Sequence, residues 1–215
     1  MYSILPEWLE EVDRDRNHPA IIGWCPFNET WDCDGHAQYK GLVRDIYRVT
    51  KAVDPSRPCI DTSGNYHEET DIFDFHDYDQ NPETFKAHYD KLMTEGELYD
   101  QLCAGNPNWV RQVYTGGPVF CSEYGGIHWA PAKSDESRLN SWGYGEDVEG
   151  MEGFKSRFKG LTDALLDNDR IMGLCYTQLT DVEQEENGMY YYDRRPKFDA
   201  AWIRSVLSRK AAIED

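Results

Sequence analysis

The feature that most constrains this chain is the alternation of short apolar runs with amphipathic helical patterns along its whole length. The runs at residues 21–27, 59–63, 72–76, 119–123 and 171–177 have the length and β-branched or aromatic content of buried strands. Between the first two, Tyr39, Leu42, Val43, Ile46, Val49 and Val53 fall on one helical face, and Asp54-Pro55 stops the pattern. Phe154, Phe158, Leu161 and Leu165 repeat it before the last run, Phe198, Trp202 and Val206 after it, and residues 6–13 supply a helix before the first. Strand and helix in strict turn build a parallel sheet with helices outside it, so the predicted class is α/β.

A closed eight-stranded barrel of this kind takes about 250 residues. Here five candidate strands occupy 215 residues and the first element is a helix. The expectation is a partial (β/α)8 TIM barrel, strands four to eight, forming one domain over residues 1–215. Strands one to three, and β-sandwich domains before them, would then lie upstream in a longer protein. Residues 81–109, of mixed polarity, and 130–150, rich in Gly, Ser, Asp, Trp and Pro, are expected as long loops at the face where barrels carry their chemistry.

Charge narrows the partners. Forty acidic against 22 basic residues give a formal net charge of −18, which repels a phosphate backbone, so no nucleic acid partner is expected. No apolar run approaches the 18 residues of a membrane span, and the first six residues do not form a secretory leader, so no membrane partner is expected and the compartment stays open. Cys25, Cys59, Cys121 and Cys175 sit inside the apolar runs and are expected to be reduced and buried. No Cys or His spacing suits a metal, and no cofactor is expected. Seven Trp and fourteen Tyr suit a carbohydrate substrate, whose C–H faces stack on aromatic rings, although many of them must be core.

Two runs end in glutamate. Residues 17–31, NHPAIIGWCPFNETW, deliver Asn28 and Glu29 at the C-terminal end of a strand, and residues 117–126, GPVFCSEYGG, deliver Glu123 in the same way. A carboxylic acid among aromatic residues is partly desolvated, which favours the protonated form that a general acid needs. One glutamate at a strand end is most simply a solvated loop residue. Two in matched contexts are what glycoside hydrolysis with retention requires, one as nucleophile and one as acid then base. Asn28 is placed to hydrogen-bond a sugar hydroxyl. Trp31, Trp129 and Trp142 follow these strands and read equally as sugar platforms or as pins for their loops. In the acidic run after the last strand, Asp181 and Glu183 read as loop holders and the rest as a solvated face.

These segments carry a resemblance. The first is similar to the Asn-His-Pro-Ser-Ile…Asn-Glu signature of glycoside hydrolase family two, and Ser122-Glu123-Tyr124-Gly125 is similar to that family's nucleophile segment. Residues 173–190, GLCYTQLTDVEQEENGMY, with residues 194–198, RRPKF, resemble the last-strand region of a bacterial branch of it. The resemblance covers about residues 7–207. It implies a retaining β-glycosidase that hydrolyses a terminal β-galactoside or β-glucuronide, with Glu29 as general acid/base and Glu123 as nucleophile. It further implies that Tyr78, in DIFDFHDY, orients the nucleophile, while His76 reads as packing. Tyr176 and Gln178 stand where many members place a tryptophan in the sugar site, and Tyr176 reads equally as barrel wall. The rival readings are a family-five-like endo-glycanase and a catalytically inert carbohydrate-binding remnant. With five strands the sheet has open edges, so self-association and little activity of this chain alone are expected.

Overall fold

A computed structural model describes residues 3–30, 38–64, 66–100, 113–131 and 141–215. In chain order the elements are α1 (Ile4–Asp15), α2 (Lys40–Val53), β1 (Phe73–Asp77), α3 (Pro82–Thr94), β2 (Val119–Gly125), α4 (Gly150–Leu166), β3 (Ile171–Thr177) and α5 (Ala200–Leu207), closed by a short 3₁₀ turn at Ala212–Glu214. They fall into two compact units. The first is Met1–His76 with Asp100–Phe120, and the second is Asp77–Tyr99 with Cys121–Asp215.

In the first unit α1 lies on α2 because Val12, fully buried, joins Trp24 and Cys59 in a small core to which Trp8, Ile21, Tyr47 and Val53 add their partly buried faces. Trp8 donates from its indole nitrogen to Thr50 Oγ1 at 2.7 Å, so the polar edge of a large ring is satisfied inside this contact. Residues 21–29 and 59–63 run in parallel beside one another. Trp24 donates to Pro58 O at 3.0 Å and accepts from Ile60 at 2.9 Å, while Ser63 donates to Phe27 O and accepts from Glu29. The two expected strands are therefore bridged extended segments, not continuous strands, with parallel bridges at Trp24–Cys59 and Asn28–Ser63. Pro26 stands between the two bridges and has no N–H to offer the ladder, which is reason enough for the break. The third expected strand is present as β1, and Phe73 at its head donates to Pro118 O, just before β2.

In the second unit β2 continues beside β3, the order expected when a helix returns the chain to a parallel neighbour. Phe85, Tyr89 and Leu92 of α3 and Phe154, Phe158, Leu161 and Leu165 of α4 are almost wholly buried around Tyr124 of β2. Helix α3 corrects the expectation of a loop over residues 81–109. Asn81 accepts from Glu83 N–H as a side-chain cap, Pro82 fills the first turn, and the buried residues recur at helical spacing. The remainder of that stretch, from residue 101 onward, lies outside the described residues. So does most of the expected 130–150 loop. Its described end, residues 141–149, holds only single bridges, Trp142 to Glu185 and Tyr144 to Ile127.

The thiols divide. Cys59 and Cys121 are buried and Cys25 and Cys175 are exposed, against the expectation that all four are covered. Side chains alternate along an extended chain. Trp24 and Tyr176 turn towards the helical cores of their units, so Cys25 and Cys175 beside them turn to the other face. Among the described residues, no helix is long and apolar enough to cross a membrane.

Candidate active site

Glu29 sits at the end of the first extended segment of the first unit. Its backbone N–H donates to Ser63 O at 2.8 Å, and its φ of 49° lies in the left-handed region. That turn takes its half-buried carboxylate off the line of the strand to His76 of β1, where Oε1 lies 2.8 Å from Nδ1. The other imidazole nitrogen, Nε2, lies 2.8 Å from Ser63 Oγ, and Ser63 in turn donates to Asp74 Oδ2 at 2.6 Å. Gly64, at φ +97°, is what gives this cluster room. A β-carbon there would stand 3.0 Å from the His76 ring and 3.3 Å from Glu29 Cγ.

Behind it, buried His67 bridges two buried aspartates, Asp61 at 2.7 Å and Asp74 at 3.0 Å. Burial alone would depress an imidazole, but its bonds to Asp61 and Asp74 prevail and raise His67 to about 9.

Glu123 sits near the end of β2 in the second unit. Tyr78 donates its phenol proton to Glu123 Oε2, and burial together with that carboxylate holds Tyr78 far above the ordinary tyrosine range, so it stays a donor. The ring of Tyr78 is stacked on Tyr144, centroids 3.5 Å apart and planes 4° from parallel. The two glycines after Glu123 make this possible. A β-carbon at Gly126 would meet Tyr144 at 2.4 Å, and one at Gly125, φ +83°, would meet the Tyr176 ring at 2.3 Å. Gln80 and Tyr144 then clasp the same turn, donating to the carbonyls of Gly125 and Gly126 respectively.

The remaining candidates fall as follows. Asn28 is exposed, with its backbone bridged to Ser63. Trp31 lies outside the described residues. Trp129 packs between Phe154 and Phe198, with its carbonyl held by Lys197 Nζ at 3.1 Å. Tyr176 packs edge-on to Tyr124 and Phe158, and its hydroxyl accepts from Ile127 N–H. Gln178 donates to Asn187 Oδ1 at 3.0 Å. In the acidic run, Asp181 binds buried Lys197 at 2.6 Å and accepts from Gly188 N–H, a loop-holding contact. Trp142 meets Tyr144 edge-on at 5.9 Å.

Sequence reasoning left out Ser63, Asp74 and Tyr144, and its reading of His76 as packing is corrected by the ring's bonds to Glu29 and Ser63. A signal for one part was present, because Asp74, His76 and Tyr78 follow one another at every second residue, the period of one face of a strand.

Comparison with known proteins adds the following. The family model for "Glycosyl hydrolases family 2, TIM barrel domain" matches residues 4–126. A β-glucuronidase of Pongo abelii is 27% identical over 212 residues, 91% of this chain and 30% of that protein. One of Felis catus is 32% identical over 126 residues, 55% of this chain and 18% of its own length. Among solved structures, the Ruminococcus gnavus β-glucuronidase superposes with a TM-score of 0.63 at 18% identity, over 97% of this chain and 35% of that one. A family-two β-galacturonidase of Eisenbergiella tayi, bound to galacturonate, gives 0.60 at 16%, over 92% and 35%. The chain thus spans about a third or less of the proteins it matches, and the structural likeness identifies the barrel fold.

Proposed function

Since the chain belongs to glycosyl hydrolase family 2 through its TIM-barrel domain, we propose that it carries the two carboxylates of a retaining β-glycosidase. Glu29 is the general acid/base and Glu123 the nucleophile. The observation that carries this reading is the setting of Glu123 near a strand end, gripped by the partly buried phenol of Tyr78, with glycines at 125 and 126 that let the Tyr176 and Tyr144 rings close on the same turn.

In the first step the Glu123 carboxylate attacks the anomeric carbon while the Glu29 carboxyl gives its proton to the departing glycosidic oxygen. The Glu123–sugar ester that results is hydrolysed in the second step. Glu29, now a carboxylate, takes a proton from water, the water oxygen bonds to the anomeric carbon, and the electron pair of the ester bond returns to Glu123. Tyr78 keeps the nucleophile in one orientation and donates to it whenever it is charged.

The likeness to β-glucuronidases makes β-glucuronides the first substrates to test. A neutral β-galactoside is the second reading, favoured by the acidic residues Glu183, Glu185 and Glu186, Asp181 being already neutralised by Lys197. Glu186 pairs through its backbone with Trp142, which lies against Tyr144. Negative charge near a sugar site opposes a carboxylated ring.

The test is kinetic, on the intact enzyme with aryl β-glycosides of graded leaving group. Glu123→Gln is expected to abolish turnover. Glu29→Gln is expected to slow poor leaving groups about 10²–10⁴-fold, the range of one general acid, and activated ones far less. Equal losses on both classes would remove Glu29 from the acid role.

A further inference from the structure

The first unit holds an array that the two-carboxylate mechanism does not need. Its order is Glu29 Oε1, His76 Nδ1, His76 Nε2, Ser63 Oγ and Asp74 Oδ2, joined at 2.8, 2.8 and 2.6 Å. Its inner end is buried. Asp74 is fully covered, Ser63 and His76 are less than a tenth exposed, and only Glu29 reaches a half-open surface.

Donor and acceptor counting fixes where the protons are. Ser63 has one proton, which it donates to Asp74, whose carboxylate also accepts from Gly64 N–H at 3.2 Å and faces His67. Ser63 Oγ must then accept from His76, so Nε2 carries a hydrogen. In the neutral ring Nδ1 is then an acceptor and can bond Glu29 only if Glu29 supplies the proton. If Glu29 is ionised, Nδ1 must carry the proton itself. One proton therefore lies between Glu29 Oε1 and His76 Nδ1 in either case.

We propose that His76 is a positioning residue for the Glu29 acid/base, sharing a single proton with it in a tautomer set by Ser63 and Asp74. When Glu29 gives that proton to the glycosidic oxygen as the C–O bond breaks, two acceptors are left facing each other across the pair. That arrangement is unfavourable. It is relieved when water surrenders a proton to Glu29 and its oxygen attacks the anomeric carbon. Among the described contacts, the groups facing His76 in this unit are Glu29 from the first extended segment, Ser63 from the second and Asp74 from its own strand, 3.9 Å from Nε2. His67 stands behind Asp74. Glu123, the other carboxylate of the proposed reaction, belongs to the second unit. Gly64 fits the same reading, since any side chain there would part His76 from Glu29.

The inference rests on Glu29 being the acid/base, so its test has an arm that does not depend on turnover. In the intact enzyme labelled with ¹³C at glutamate carboxyls, the Glu29 titration is followed by NMR in wild type, His76→Phe and Ser63→Ala, with circular dichroism to confirm folding. Loss of the partner is expected to shift Glu29's deprotonation by about one unit or more in His76→Phe, downward where Glu29 carries the shared proton and upward where His76 does. Ser63→Ala should move it the same way by less, and serves alone if His76→Phe does not fold. In the kinetic arm, the basic limb of kcat/KM should move with it. Substrates with poor leaving groups should slow at least about tenfold more than activated ones, with KM little changed. An unchanged Glu29 titration in a folded variant overturns the inference. A wild-type enzyme without glycosidase activity would overturn the functional reading instead, and the NMR arm would still decide this one.

Discussion

Glu29 leaves its strand with a φ of 49°, a conformation that costs a non-glycine residue on the order of 1 kcal/mol and that the surrounding structure must sustain. What sustains it is visible in its neighbours, the Ser63 carbonyl on its N–H and His76 on its carboxylate. The same polar core predicts how stability depends on pH. His67 is raised from 6.5 to about 9 in the fold, against the pull of burial, by its bonds to Asp61 and Asp74. A group raised on folding stabilises fully below its unfolded value and loses that contribution as pH climbs through the folded one. Unfolding free energy should therefore fall between pH 6.5 and about 9, by on the order of 1 kcal/mol per pH unit at most from this group. Urea titrations across that window check it, and a His67→Gln variant with an unflattened curve would show that another group is responsible.

At the scale of elements, α3 and α4 meet where Gly160 lies under Pro82, a β-carbon at 160 standing 2.6 Å from Pro82 Cγ. Gly160→Val should cost about 1–3 kcal/mol in denaturant midpoint experiments, the usual penalty of overpacking, and the loss should shrink if Pro82→Ala is made with it. A neutral Gly160→Val would mean that the two helices can part at little cost. Periodicity made most elements legible. Helix α2 begins one residue after its expected start and ends where Asp54-Pro55 said it would, and β3 has its expected bounds. Helix α3 was hidden because Lys86, His88, Asp90 and Lys91 alternate with Phe85, Tyr89 and Leu92 and dilute the apolar stripe, although Asn81-Pro82 announced its start. Pro26 was in plain view inside an apolar run, yet its effect depends on a partner segment that composition does not show. For the site, a strand ending in glutamate could be read locally. The bond from His76 to Glu29 joins residues 47 positions apart and had no local trace.

On the scale of the whole molecule, this chain corresponds to 30% of one relative's length and 18% of another's. We propose that sheet edges which the rest of such a protein would pair lead the 215-residue chain to self-associate in spite of its net charge of −18. We expect this chain alone to bind sugar weakly and to show little glycosidase activity. A monodisperse monomer in light scattering that cleaves an aryl β-glycoside at roughly 1–10³ s⁻¹, an ordinary enzyme rate, would overturn that. The stacked pair of Tyr78 and Tyr144 has one more consequence. Trp142, about half exposed, touches Tyr144, which lies flat on the tyrosine that grips the nucleophile. A chromophore is thereby coupled, through two rings in contact, to the carboxylate proposed to form the glycosyl ester. Its emission is therefore expected to change as the sugar is captured and released, and stopped-flow fluorescence of wild type against Trp142→Phe checks whether that ring reports it.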